Sequence, residues 1–108
     1  MSRAAVLGSF AALFLVAASS LVLSGCSTPE GNAADGKRWY RMHNCSGCHG
    51  EKGYDGGGPD IVNIDMDYGS FVNRLRNSQT AVMPEYGEEK ISDQDAADIL
   101  AFLKSIER

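Results

Sequence analysis

Three side chains able to bond carbon or metal crowd into five positions: Cys45, Cys48 and His49, within Asn44-Cys45-Ser46-Gly47-Cys48-His49-Gly50. Residues three and four apart share one face of a helix, so the two thiols project together and the imidazole sits beside them. Thiols can exchange, ligate or be alkylated, and an imidazole can ligate or carry a proton. The rest of the chain offers little to extend the set, only Cys26 and His43. Structural zinc takes four ligands, and there is no second cysteine pair to complete them. A dithiol redox pair belongs in a chain that alternates strands and helices, and no such alternation is present.

One flat ligand gripped by both sulfurs and met at its centre by the imidazole uses all three side chains at once. C-x-x-C-H is the spacing of a c-type haem attachment site. On this reading Cys45 and Cys48 form thioethers to the haem vinyl carbons, and His49 supplies one axial nitrogen to the iron. The dithiol, zinc and chance readings stand behind it.

The elements that must position the motif are helices and loops. Asn32-Ala33-Ala34-Asp35 has the form of a capping box with Asp for Glu, which predicts a helix through Trp39 and Tyr40 to about His43. Gly36 costs that helix about 1 kcal/mol against Ala, so its use must be close approach by another backbone. Six glycines between Gly50 and Gly69 predict a long irregular loop, which in a small domain is usually functional. A short helix is expected from Ser70, with Phe71, Val72 and Leu75 inward. The last helix is the clearest. Ser92 and Asp95 form its capping box, and Ala96, Ile99, Leu100, Leu103 and Ile106 recur on one face. Asp93 and Asp95 at its start and Lys104 and Arg108 at its end suit the helix dipole. No strand and no internal repeat stand out, so the expected class is all-α, three to four helices and long loops.

The first 25 residues are a different material. After Arg3 the stretch from Ala4 to Leu23 carries no charge, the layout of an export signal; about 20 apolar residues would also suffice to span a bilayer. Leu23-Ser24-Gly25-Cys26 looks like a bacterial lipobox, in which the cysteine is lipidated and the chain is cut just before it. The expected organisation is therefore a lipoprotein signal at 1–25, a lipidated Cys26 with a short polar tether at 26–31, and a folded domain at 32–108. Losing Arg3 leaves nine basic against fourteen acidic residues, a net charge of −5. That balance argues against nucleic acid and towards basic partners. A core this short leans on a disulfide, a metal or a cofactor, and a Cys45–Cys48 bridge would close too small a loop to help.

From Ala33 to Ile106 the chain resembles the small class I cytochromes c. Gly36-Lys37-Arg38-Trp39-Tyr40 is similar to the family's first helix, a glycine followed one turn later by an aromatic. The C-x-x-C-H-G run matches its attachment motif, and Gly57-Gly58-Pro59-Asp60-Ile61 resembles its Gly-Pro-x-Leu loop. Met83-Pro84, Ile91-Ser92-Asp93 and Ala101-Phe102-Leu103 resemble its Met-Pro, Leu-Ser-Asp and Ala-Tyr-Leu pieces, in the same order. The resemblance implies one covalent haem c around which the helices pack, with His49 and Met83 as axial ligands. It implies that the Pro59 carbonyl accepts the His49 ring N–H, and that Gly36 and Tyr40 cross the last helix near Ile99 and Phe102.

Two other methionines compete for the sixth position. Met42 lies too close before the motif and is expected in the core; Met66 is expected at the haem edge. Pro84 after Met83 blocks local helix and favours Met83. His43 is read as an edge side chain and Trp39 as packing. Arg74, Arg76, Tyr68 and Tyr86 are read as solvated or packed rather than as haem contacts. Glu85, Glu88 and Glu89 are expected to form an acidic rim that favours a basic docking face.

The function implied is electron transfer, with no small-molecule substrate and no acid–base pair. The carrier would be lipid-anchored to a bacterial membrane and face the periplasm or cell exterior. The rivals are a haem-based ligand sensor with an open or labile sixth position, and a small subunit of a larger oxidase or dehydrogenase.

Overall fold

The computed structural model describes residues 27–108. They form four helices, α1 (Ala33–Met42), α2 (Ser46–His49), α3 (Tyr68–Arg76) and α4 (Asp93–Ser105), and no strand occurs among the described residues. The all-α expectation holds. The export signal and Cys26 lie outside the described residues.

Helix α1 starts where its sequence indicates, but its cap is only half of the expected box. The Asn32 side chain accepts from the Asp35 N–H at 3.0 Å, while the Asn32 N–H turns to Asp98 Oδ1 on α4 at 2.8 Å. Replacing a capping side chain by alanine typically costs about 1 kcal/mol. Asn32→Ala is therefore expected to lower the unfolding free energy by that amount, read as a lower urea midpoint with an unchanged slope. Helix α3 begins two residues earlier than expected. Asp67 caps it, accepting from the Ser70 N–H at 2.7 Å, and this hydrogen bond holds the Asp67 carboxyl below its ordinary range. Helix α4 carries both halves of its box, Asp95 N–H to Ser92 Oγ at 3.1 Å and Ser92 N–H to Asp95 Oδ2 at 3.3 Å. It ends at Ser105, so Ile106 continues the apolar face from extended backbone.

The core is α1 crossed on α4, closed by α3. A Cβ on Gly36 would fall on the Asp98 carbonyl and lie 2.9 Å from the Ile99 nitrogen, so only glycine lets the two backbones meet. One turn on, the Tyr40 ring packs on Phe102 with centroids 5.3 Å apart. Tyr40, Ile91, Ile99 and Leu103 are almost fully enclosed. Asp98 is also buried, at 5 % exposure, and it accepts from the Asn32 N–H, Trp39 Nε1 at 3.3 Å and Gln94 Nε2 at 3.0 Å. A buried carboxylate must be hydrogen-bonded to be tolerated, and here the donors fasten α1 along its length.

One expectation changes. Met42 is not in the core but 62 % exposed. The buried line of α1 runs through Gly36 and Tyr40, four apart, and a residue two positions beyond Tyr40 falls on the opposite side. The folded body also begins before residue 32. Gln94 Nε2 donates to the Glu30 carbonyl at 2.7 Å, and Gly31 lies against Ala97 and Ala101 of α4.

Candidate functional site

The motif is a single helical turn delivered by α1. Asn44, at φ +58°, reverses the chain after α1; asparagine visits this left-handed region more readily than most residues. The Cys45 N–H returns to the Tyr40 carbonyl at 3.0 Å, and the His49 N–H bonds the Cys45 carbonyl at 2.9 Å. Cys45, Cys48 and His49 thus lie on one turn, as their spacing requires. At the far end Gly50 stands at φ +83°, and its carbonyl accepts from Tyr40 Oη at 2.6 Å. Tyr40 therefore holds both ends of the turn, the start through its carbonyl and the end through its hydroxyl. Burial and the nearby Cys45, Asp55 and Glu51 raise the Tyr40 hydroxyl pKa far above its ordinary value, so it remains a donor.

The glycine-rich segment after the motif is a folded clasp rather than an open loop. The Gly53 N–H bonds the Gly50 carbonyl at 3.2 Å, and the Gly58 N–H reaches back to the Cys48 carbonyl at 2.6 Å. This return brings Pro59 over the imidazole, where His49 Nδ1 and the Pro59 carbonyl oxygen lie 2.7 Å apart. An N–H at Nδ1 is the donor that fills that contact, and in the neutral ring this tautomer leaves Nε2 free to donate its lone pair. Arg108 pairs with Asp60 and sits over the Tyr54 ring at 4.9 Å, so the end of the chain braces the Pro59 segment.

No disulfide joins the two motif cysteines. Cys45 is half-buried and Cys48 exposed. Burial, with Cys48 adding to it, pushes the Cys45 thiol up to about 11. A dithiol exchange site depends on a low thiol pKa, so the environment of Cys45 opposes that reading. Among the described residues no three His, Cys, Asp or Glu side chains are grouped as a metal cage, so four-ligand zinc lacks its ligand set. The donor set does fit a c-type haem: two adjacent thiols for the thioethers, and an imidazole whose other nitrogen is already engaged.

The remaining candidates lie on α3 and on the segments before and after it. Met83 is half-buried against the core, and its N–H donates to Thr80 Oγ1 at 3.1 Å. Met66 also packs on the core. Glu85, Glu88 and Glu89 are all exposed. Tyr86 matters more than its sequence reading as a packed or solvated side chain conveyed. It is close enough to Cys45 and Cys48 for both to raise its pKa, after the larger effect of burial. Its hydroxyl donates to the His43 carbonyl at 3.3 Å, directly before the motif. The spacing Met83-x-x-Tyr86 was the available signal. Tyr68, whose hydroxyl donates to the Asp93 carbonyl, and Arg76 are likewise held by protein partners.

Comparison with known proteins supplies the last observation. A search of curated proteins finds no match for this chain. A scan against protein families matches residues 31–103 to the family described as cytochrome c oxidase, cbb3-type, subunit III. The match begins where Gly31 docks on α4, ends within that helix and takes in the whole C-x-x-C-H turn and its clasp. The chain belongs to this family of c-type cytochrome domains, and its cofactor is a covalently bound haem c.

Proposed function

We propose that this cytochrome c domain is a membrane-tethered electron carrier in which His49 and Met83 are the axial ligands and Cys45 and Cys48 the covalent anchors. One observation carries the reading. His49 stands on the same turn as both cysteines with Nδ1 committed to the Pro59 carbonyl. A second partner of this kind fixes the ring and raises the basicity of the ligating nitrogen. The bound haem supplies one-electron chemistry between ferric and ferrous iron. The chain's own residues hold it, orient the imidazole and keep the Met83 segment in place. His/Met ligation places the potential high among haem proteins.

The tether reading rests on the lipobox-like Leu23-Ser24-Gly25-Cys26. Among the described residues no helix is long and apolar enough to cross a membrane. A lipid-modified Cys26 would hold the domain on the exported face, since more than one acyl chain anchors stably. The exposed Glu85, Glu88 and Glu89 beside the ligand segment suit a partner with a basic docking face.

The test is an optical spectrum of the matured holo-domain, oxidised and then reduced, for the wild type and two methionine variants. Wild type is expected to be low-spin, with the weak red band of Met–iron ligation when oxidised. Met83→Ala is expected to abolish that band, leave the haem attached and let CO bind the reduced protein. Met66→Ala is expected to leave the band unchanged. Loss of the band in Met66→Ala alone would transfer the ligand role to Met66, and a wild type that binds CO as tightly as Met83→Ala would favour a sensor. The family's description as an oxidase subunit supports a second placement for the same carrier, docked in a larger complex. Co-purification of oxidase subunits from mild detergent would favour it.

A further inference from the structure

Helix α3, the Met83 segment and the residue before the motif meet at Tyr86, and Arg76 links them to helix α4. Its backbone N–H donates to the Leu75 carbonyl at 2.7 Å, and its own carbonyl accepts from Arg76 Nη1 at 2.9 Å. Arg76 Nη2 continues to Asp93 Oδ1 at 3.0 Å, at the first residue of α4, and only a fifth of the Arg76 side chain is exposed. At the other end the Tyr86 hydroxyl donates to the His43 carbonyl, and its ring stands edge-on to the His43 ring with centroids 6.1 Å apart. Two residues separate Tyr86 from Met83, and one is Pro84, whose ring fixes its own φ and restricts Met83. Motion at Tyr86 is thus passed to Met83 with little slack.

We propose that Arg76 and Tyr86 are positioning residues, a bracket that fixes the Met83 segment over the Cys45–His49 turn and keeps the methionine on the iron. The inference rests on Met83 being the sixth ligand. Without the bracket the segment between Asn77 and Lys90 is fastened chiefly by local turns, such as Met83 N–H to Thr80 Oγ1 and Ile91 N–H to the Gly87 carbonyl. A methionine is a weak neutral ligand, so its occupancy depends on how well the protein holds it near the iron. Arg76 supplies two hydrogen bonds, one to a carboxylate, and Tyr86 reaches the motif side with one neutral bond. Charged bonds contribute more than neutral ones, so Arg76 carries the larger share.

The experiment measures CO affinity of the reduced holo-domain and the red Met–iron band of the oxidised form. The proteins are wild type, Arg76→Met, Tyr86→Phe and Asn32→Ala. The last loosens α1 at its far end and reports what general destabilisation alone does. Arg76→Met is expected to raise CO affinity about tenfold, and Tyr86→Phe about threefold to fivefold, the changes that loss of hydrogen bonds of these kinds produces. Both are expected to weaken the red band while haem attachment and far-ultraviolet circular dichroism stay as in wild type. Asn32→Ala is expected to leave CO affinity and band unchanged. Bracket variants that bind CO no better than Asn32→Ala, with wild type showing a normal band, would overturn the bracket alone. A wild type with no Met–iron band, or one whose band survives Met83→Ala, would overturn the ligand assignment and the bracket with it.

Discussion

Cys48→Ala, made in cells that mature c-type cytochromes, is expected to retain at most a small amount of singly attached haem, and Cys45→Ala/Cys48→Ala no covalent haem. Haem staining after denaturing electrophoresis reads this directly. The loss should extend to the fold. The enclosed core consists of about ten side chains, among them Tyr40, Leu75, Ile91, Ile99 and Leu103. Domains of this size are marginally stable on such a core alone. Haem c would add a large apolar plate, and two thioethers to Cys45 and Cys48 would fix it to the turn that α1 presents. Circular dichroism of the double variant is therefore expected to show much reduced helix at a temperature where wild type is intact. Full covalent haem in the double variant would remove the attachment role from this motif. A haem-free variant with wild-type helix would show that the core suffices without it.

The features legible in the sequence were those fixed by local chemistry. The α4 capping box, the α1 start and the C-x-x-C-H turn each depend on residues within five positions of one another, and each lies where its spacing indicates. The Gly36 reading also held, because a glycine in a helix interior is costly unless something approaches it. What the sequence hid was mostly non-local. Nothing near Asn32 in the chain indicates that its N–H bonds Asp98, 66 positions away, and that bond is why half the expected α1 box is missing. Nor does anything near Gln94 indicate that it would reach back to Glu30 and draw the start of the domain into the fold.

Tyr40 and Tyr86 illustrate the same limit at the site. Tyr40 was legible as an aromatic that crosses α4, but its hydroxyl contact to Gly50 depends on the left-handed turn after His49. Tyr86 was legible only as an aromatic near the proposed ligand. Its bonds go to two other parts of the chain, the end of α3 and His43, and a residue defined by tertiary partners has no local pattern to announce it. Met42 shows the converse error, since a hydrophobic residue on a helix is buried only if it lies on the line that the helix presents to its neighbour.

Gly36→Val is expected to be among the most destabilising single changes outside the motif. Its Cβ would overlap the Asp98 carbonyl and press on the Ile99 nitrogen. Both are α4 backbone, so no rotamer change can relieve them. Gly36→Ala isolates the conflict. Alanine gains the helix about 1 kcal/mol in propensity, while overpacking against rigid neighbours costs typically about 1–3 kcal/mol and occasionally more. With backbone as the obstacle, the cost wins. Gly36→Ala is expected to destabilise the domain by about 2 kcal/mol net, a fall in Tm on the order of 10 °C for a domain of this size. Gly57→Ala, where a Cβ would meet nothing within 4 Å, should stay within about 0.5 kcal/mol of wild type, as surface changes usually do. The damage at Gly36 should also reach the haem. Separating α1 from α4 moves Tyr40, one turn along, and Tyr40 holds the Cys45–Gly50 turn at both ends. The red Met–iron band of Gly36→Ala should therefore weaken on heating in step with the loss of helix. An alanine variant as stable as wild type would mean that the two helices can part at Gly36 without cost, and that the crossing is not what positions the motif.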